Sequence, residues 1–563
     1  MENELFPEYR RIRENVKKDE YLMNELNKIK AAAERYRNEN IKSLKLSDFL
    51  VFYKTGSRNE YELEYFEHRK RMNAFAVLVA AGEEEYIKNL QDTVWAVTDE
   101  FTWALPAHIP VGTGIEECRR SIDLFAAETA FALSELLYMF RDKFEPILCS
   151  RIEYEVRSRV LNPYLNGYKN SWDERTNNWA AVCAGSVGAA FLYLADKNEI
   201  NSVLPRIKQT LSCYLSGFGD DGACVEGINY WVYGFGYYTY FAQLLYSFSG
   251  GKEDLFESEK VKKIAEFPQK LRFRNNKTVS FSDSGTDFVQ RSGLMHFLSY
   301  KFDGVTVPDD SSAAGFCSDH CARFAHLIRD FAWRGIGAVK KQESLGSYYF
   351  ESAAWYIKKT EQYEFAAKAG NNGESHNHID IGAFILNADG ESIVTDPGSG
   401  EYTAAYFSAE RYSCFAPSAE AHSIPVINDT EQSANDTASG NIVTAGNNRL
   451  VIELDNAYKV CGLKGITRSF DFRSDSIVMT DKFKFDGDRN YVTEHFVTEK
   501  KPEMCYDGLK IGKVLMRFDM SAAECHINEH EFNTGKGIKK VYLTDITIRD
   551  MRGENRLSFE FKI

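Results

Sequence analysis

The sequence predicts two unlike halves: a helical first half built as an α/α toroid or solenoid, then an antiparallel β-sandwich. Three observations carry this. Residues from about 8 to 335 place apolar side chains at helical spacing in about ten pieces joined by short connections. After Arg334-Gly335-Ile336-Gly337 the period drops to two, in short alternating runs set apart by turn residues. Finally, 563 residues exceed what one hydrophobic core organises, so two or three domains are expected. The boundary is placed between residues 337 and 338, giving a helical domain 1–337 and a β-domain 338–563.

In the first half, Tyr9–Arg37 reads as a charged helix, followed by Tyr65–Ala81 and Tyr86–Val97 with Gly82 between them. A less regular stretch holds Trp103, Pro106, His108, Gly112 and Gly114. Ile122–Phe140 sets Leu124, Ala127, Phe131, Leu133 and Leu136 close to helical spacing, so one side is buried. Phe144–Leu161 is expected to stop at Asn162-Pro163, because proline disfavours helix in the residue before it. Asn178–Ala195, Asn201–Ser216, Tyr230–Phe248 and Lys260–Leu271 continue the series.

In the second half the expected strands are Ala353–Lys359, Ile381–Leu386, Ile393–Asp396, Arg449–Leu454 and Ser469–Arg473. Ile477–Phe485, Tyr491–Val497, Val514–Phe518, Val541–Thr544 and Ser558–Lys562 follow. Asp389-Gly390, Asn447-Asn448 and Asp486-Gly487 read as turns between strands.

Composition narrows the function. A formal charge of −14 argues against nonspecific nucleic-acid binding, though a local cleft can still attract an anion. Aromatic residues make 14% of the chain, with 31 Tyr and 39 Phe, enough to supply both core and sugar-stacking faces. Met1-Glu2-Asn3-Glu4-Leu5 lacks the basic-then-apolar pattern of a secretion signal, no apolar run reaches transmembrane length, and the 11 cysteines are odd in number and scattered. The expectation is a cytoplasmic protein with reduced thiols. Cys317-Ser318-Asp319-His320-Cys321 has no second cysteine pair and reads as structural.

The chemistry gathers around Glu374-Ser375-His376-Asn377-His378-Ile379-Asp380. The alternation of Ile379, Ile381, Ala383 and Ile385 predicts a strand opening here, which would put His376 and His378 on one face. Downstream lie Asp396, in Thr395-Asp396-Pro397-Gly398, and His422. Two histidines and an aspartate are suitable ligands for zinc or a similar ion, with one histidine left for chemistry. Two stretches of the first half add to this. Thr176-Asn177-Asn178-Trp179 opens a helix, where asparagine serves equally as a cap. Gly219 to Gly234, with Asp220, Asp221, Glu226, Tyr230, Trp231 and Tyr233, is a polar turn running into an aromatic-rich helix.

Together these stretches resemble the heparinase II/III-like polysaccharide lyases. The resemblance rests on Asn177-Asn178-Trp179, on Asp221-Gly222 to Glu226-Gly227 with Tyr230-Trp231, and on the block from Ser375 through Asp380, Asp396-Pro397-Gly398 and Phe407-Ser408 to Arg411-Tyr412 and His422. It spans most of the chain from about residue 100 to 450. It implies an α/α toroid, an incomplete barrel, followed by antiparallel sheets. It also implies cleavage of a uronate-containing polysaccharide, most simply a glycosaminoglycan, by β-elimination. The C5 proton is acidic only when the adjacent carboxylate is neutralised, which an amide can do. Tyrosine and histidine can then take that proton and protonate the leaving oxygen.

The resemblance makes Asn178 the carboxylate neutraliser, with Asn177 as the fallback. It makes Tyr230 the acid/base, with Tyr233 as rival, and His376 the second acid/base. His378, Asp396 and His422 correspond to metal ligands, for a structural divalent ion such as zinc or else a hydrogen-bonded cluster without one. Trp103, His108 and Trp231 are candidate sugar contacts. Some relatives carry a histidine where this chain has Trp179, which leaves the accepted uronate epimer open. Two rivals stand beside the lyase. A glycoside hydrolase would need paired carboxylates from Asp220, Asp221 and Glu226, and a non-catalytic sugar-binding protein would need none.

Overall fold

The computed structural model describes residues 4–337, 345–535 and 537–563. The expected boundary at residue 338 and the first three residues of the amino-terminal reading therefore lie outside the described residues. The described chain forms two compact units that interleave in sequence. Residues 4–217, 231–265 and 289–337 make one. Residues 218–230, 266–288 and the chain from 345 onward make the other.

The first unit is helical. Helices pair with their successors: Asn59–Ala80 with Ile87–Asp99, Leu124–Phe140 with Pro146–Val156, and Asn178–Leu194 with Lys197–Ser216. Leu124–Phe140 and Asn178–Leu194 are buried on nearly every side, and both are mostly apolar. Glycine lets the backbones close up. A Cβ at Gly185 would stand 2.9 Å from the Tyr237 carbonyl oxygen, and one at Gly188 would stand 2.4 Å from the Phe241 ring. Charges that end up inside are paired. Arg329 Nη2 donates to Glu135 at 2.7 Å with both side chains fully buried. Leaving either one alone there would cost several kcal/mol.

Local chemistry revises several expected helix boundaries. The run expected from Tyr9 breaks at Asp19, whose extended backbone lets its carboxylate cap Leu22, so Ile12–Lys18 and Glu20–Asn38 are separate helices. Asn162-Pro163 does not stop the preceding helix. A π-helical turn at Arg157–Leu161 absorbs the strain, and Asn162–Leu165 carries on. Ser292–Lys301 and Phe324–Ala332 add two helices beyond the series read from the sequence. Among the described residues, no helix is long and apolar enough to cross a membrane.

The second unit holds two antiparallel sheets. The smaller runs in the order Gly346–Phe350, Trp355–Lys359, Tyr363–Lys368, Phe384–Ala388, Glu391–Val394. The larger is organised around Ser476–Thr498 and Ile538–Lys562, which pair along nearly their whole length. The two sheets stack face to face. Phe365 of the smaller lies edge-on to Phe470 of the larger at 4.8 Å, and Phe384 meets Phe561 at 5.7 Å. This is the expected sandwich, but with longer strands. Ile477–Phe485 and Tyr491–Val497 are one strand whose register slips between Phe485 and Asn490, so Asp486-Gly487 marks an irregularity in the ladder and not a turn. Val541–Thr544 and Ser558–Lys562 likewise belong to a single strand.

Candidate active site and metal centre

Within the second unit, four segments that are not strands converge: 225–230, 280–285, 374–383 and 395–423. The strand expected at the His-x-His motif does not form there; it begins at Phe384. His376 takes a left-handed backbone conformation (φ 57°), and Gly382, at φ 87°, turns the chain again. The apolar alternation has a different origin. Ile379 and Ala383 pack with Ala419 and Ile424, whereas Ile381 enters the main sandwich core. Two cores on either side of a loop imitate the period of a strand.

His376 and His378 therefore do not share a strand face; both turn onto the carboxylate of Asp283. His376 Nδ1 lies 2.7 Å from Asp283 Oδ2, and His378 Nε2 lies 3.1 Å from Oδ1. Tyr406 Oη donates to Oδ1 at 2.6 Å and Arg411 Nη2 at 2.9 Å. Burial alone would raise the Asp283 pKa. The hydrogen bonds from both histidines and the charge of Arg411 outweigh it and hold the carboxyl well below the usual range.

Tyr230 stacks on His376 with ring centroids 4.2 Å apart and shares a 2.8 Å hydrogen bond with the Tyr402 hydroxyl. Burial, with the nearby Asp283 charge, raises the Tyr230 pKa well above that of a free phenol. Glu226 Oε1 lies 3.5 Å from His376 Nε2 and accepts from Ser375 Oγ at 3.3 Å. Phe407, half exposed, stands edge-on to the His376 ring.

Next to this group lie His378, Asp396 and His422, all buried, with potential ligand atoms within 4.8 Å of one another. Among the described residues, buried His378 Nδ1 has no hydrogen-bond partner, and buried Asp396 Oδ2 and His422 Nδ1 face each other at 3.1 Å. The far nitrogen of each ring is engaged: His378 Nε2 by Asp283, and His422 Nε2 by the Ala416 carbonyl at 3.1 Å. That arrangement leaves the Nδ1 lone pairs and a carboxylate oxygen turned toward one point, which fits a divalent cation. Asp396 Oδ2 sits 3.1 Å from His422 Nδ1, and its charge overcomes the effect of burial to raise the His422 pKa. Burial dominates at His378 and lowers its pKa. A second grouping, Asp319, His320 and Cys321, fits a cation poorly, since Arg291 and Arg323 already neutralise Asp319.

The other sequence candidates lie in the helical unit. Asn177 caps the helix Asn178–Leu194, its side chain accepting from Trp179 N, and Asn178 is buried as the first helical residue. His108 Nδ1 lies 2.7 Å from Asp123, with Trp179 edge-on at 4.9 Å. Trp103 and Trp231, expected as sugar contacts, are each 1% exposed, and their indole N–H groups donate to the Val97 and Ile264 carbonyls. No ring face is left for a sugar, so they are core residues. Tyr233 makes its contacts inside the helical unit, under the Arg323 guanidinium at 4.0 Å.

Sequence reasoning missed Asp283, Tyr402 and Tyr406 and gave Arg411 no role. Asp283 sits in Phe281-Ser282-Asp283-Ser284-Gly285, which reads as an ordinary turn. The two tyrosines had no signal beyond their closeness to the Phe407–Tyr412 motif.

Solved structures with this fold include the heparan sulfate lyase HepC from Pedobacter heparinus, as a mutant. It is 16% identical, with TM-score 0.57 over 90% of this chain and 77% of that one. A heparinase III gene product is 14% identical, with TM-score 0.62 over 95% and 89%. The chondroitin AC lyase of Streptomyces coelicolor A3, solved with chondroitin sulphate, is 10% identical, with TM-score 0.58 over 98% and 82%. The fold class is therefore that of these polysaccharide lyases, an incomplete α/α toroid followed by an antiparallel β-sandwich. Residues 344–533 match the family described as heparinase II/III-like, C-terminal. No curated protein sequence matches the chain.

Proposed function

We propose that the protein is a lyase that cleaves uronate-containing polysaccharides or oligosaccharides, glycosaminoglycans first among them, by β-elimination. The observation that carries this reading is the stacked Tyr230–His376 pair, its imidazole held by a buried carboxylate beside the half-exposed Phe407. With Nδ1 bound to Asp283, His376 Nε2 is the nitrogen suited to accept the C5 proton. Tyr230 is kept protonated, which suits donation to the C4 oxygen as the C4–O bond breaks and the C4–C5 double bond forms. Asn178 is assigned to the uronate carboxylate, with Asn177 as the fallback, and Tyr230 is preferred to Tyr233 because it contacts His376. His378, Asp396 and His422 would hold a divalent ion, with zinc favoured by the donor set. That ion would brace the loops carrying His376 and Asp283.

A hydrolase is disfavoured because Asp221 is spent on structure. Its two oxygens accept from Ser352 N at 2.9 Å and Ser352 Oγ at 2.7 Å. The test is incubation with heparan sulfate, chondroitin, hyaluronan and alginate, following the ultraviolet absorbance of a 4,5-unsaturated uronate. Turnover in the wild type, with losses of about 10²–10⁴-fold in Tyr230→Phe and His376→Ala, is expected. Saturated products would point to hydrolysis. Binding without any product would point to a sugar-binding protein.

A further inference from the structure

The carboxylate of Asp283 is fully buried and meets four donors: His376 Nδ1 on Oδ2, and His378 Nε2, Tyr406 Oη and Arg411 Nη2 on Oδ1. A carboxylate in this setting only accepts, so every ring nitrogen facing it must carry a proton. His376 thereby carries its proton on Nδ1, bound to Asp283 at 2.7 Å; its Nε2 stands 3.5 Å from Glu226 Oε1, beyond ordinary hydrogen-bond length, and keeps the lone pair. His378 is fixed the opposite way, with its proton on Nε2 and its lone pair on Nδ1, toward Asp396 and His422.

The carboxylate is itself immobilised. Arg411 is held by the carbonyls of Asn377 and Tyr406 at 3.0 and 3.1 Å, and Asn377 lies between the two histidines in sequence. Ser282, at φ 62°, turns the chain just before Asp283 and donates to the Val225 carbonyl at 2.9 Å.

We infer that Asp283 is a positioning residue that sets opposite tautomers in two neighbouring histidines, preparing His376 for proton transfer and His378 for a metal. The catalytic half of this inference rests on the lyase reading; the tautomers and the metal half do not. Two substitutions separate the halves. Asp283→Asn keeps the shape but offers one accepting oxygen and one donating NH₂. Three donors face the Oδ1 position and one faces Oδ2, so the amide oxygen takes the Oδ1 side. The NH₂ then faces His376 Nδ1, which must give up its proton there and carry it on Nε2. His378 keeps its partner. Asp283→Ala removes the acceptor from both.

The experiment uses full-length protein labelled with ¹⁵N-histidine, with the His376 signal assigned by its loss in His376→Gln, together with elemental analysis for bound metal and steady-state kinetics. In the wild type, the Nδ1–H form of His376 is expected. Asp283→Asn should show the Nε2–H form, keep the wild-type metal content, and lose about 10²–10⁴-fold in kcat with KM within about threefold. Asp283→Ala should lose bound metal as well. The inference is overturned if wild-type His376 carries Nε2–H, if Asp283→Asn keeps the wild-type tautomer, or if folded Asp283→Ala keeps its full metal content. Should Asp283→Ala not fold, the tautomer in Asp283→Asn decides. A wild type inactive on every uronate polymer would sink the lyase reading, whereas the tautomer and metal measurements would still decide the role of Asp283.

Discussion

Gly398 is the position where the aspartate turn of the candidate metal cluster lies against the loop bearing Asp283, and replacing it with alanine should damage both. Gly398 has φ 74°, and a Cβ there would stand 2.2 Å from the Ser284 carbonyl oxygen. Alanine in a left-handed conformation costs about 1 kcal/mol. Relieving the contact needs a backbone shift of roughly 1 Å, the kind of overpacking that costs about 1–3 kcal/mol. The shift would also weaken the hydrogen bond from Ser399 N to the Ser284 carbonyl, 3.0 Å long, for about 1 kcal/mol more. The total, about 3–5 kcal/mol, corresponds to a loss of about 10 °C in the melting of a unit this size. Gly553→Ala is the matched control, since φ is 57° but a Cβ there meets nothing within 4 Å. It should cost about 1 kcal/mol, or about 2–4 °C. Scanning calorimetry reads the melting, and metal content should fall with stability because Gly398 N also donates to Asp396 Oδ1 at 2.9 Å. If Gly398→Ala melts no lower than Gly553→Ala, the close approach has no energetic weight and the reasoning fails.

Asn178→Ala should lower kcat by about 10²–10³-fold with little change in melting, whereas Asn177→Ala should cost about 0.5–2 kcal/mol of stability and leave most turnover, because Asn177 is the cap. The reverse pattern would move the carboxylate role to Asn177. Burial pushes the Glu128 carboxyl up to about 7 against the charge of Arg323, from an ordinary value of 4.5. The folded state therefore keeps a proton that the unfolded chain releases. This contribution is complete below pH 4.5 and is lost as pH rises to about 7, so Glu128→Gln should flatten the fall in melting temperature across that window. A wild-type profile no steeper than the variant's would refute the assignment. Prolonged chelation should lower the melting temperature of the wild type but not of His422→Ala, as expected when a ligand binds only the folded state. Equal responses would argue for a metal-free hydrogen-bonded cluster.

Periodicity made the two-part fold legible because it reports which faces are buried: helical spacing in Leu124–Phe140, alternation in Ser476–Thr498. The same signal misled at Ile379–Ile385, since burial against two separate cores leaves the same trace in sequence as one strand face. Tryptophan was ambiguous for a related reason. Trp103 and Trp231 lie near functional motifs, but an indole fills a core as readily as it stacks on a sugar, and only the hydrogen bonds of their N–H groups to Val97 and Ile264 distinguish the two.

The site itself was half visible, and the division follows the chemistry. Histidines, a tyrosine in a polar turn and an aspartate before Pro397-Gly398 are uncommon enough in combination to be noticed along a chain. Asp283 is not, because serine, aspartate and glycine are among the residues that dominate turns. Its distinction is its company: a 23-residue segment, 266–288, that leaves the helical unit and joins the sandwich unit to place one carboxylate among two histidines, a tyrosine and an arginine. A residue whose function is to fix other side chains is defined by their positions and not by its own neighbours in sequence. Such residues become visible only once the chain has folded, which is why the acceptor that sets both imidazoles was the part of the site that sequence patterns could not reach.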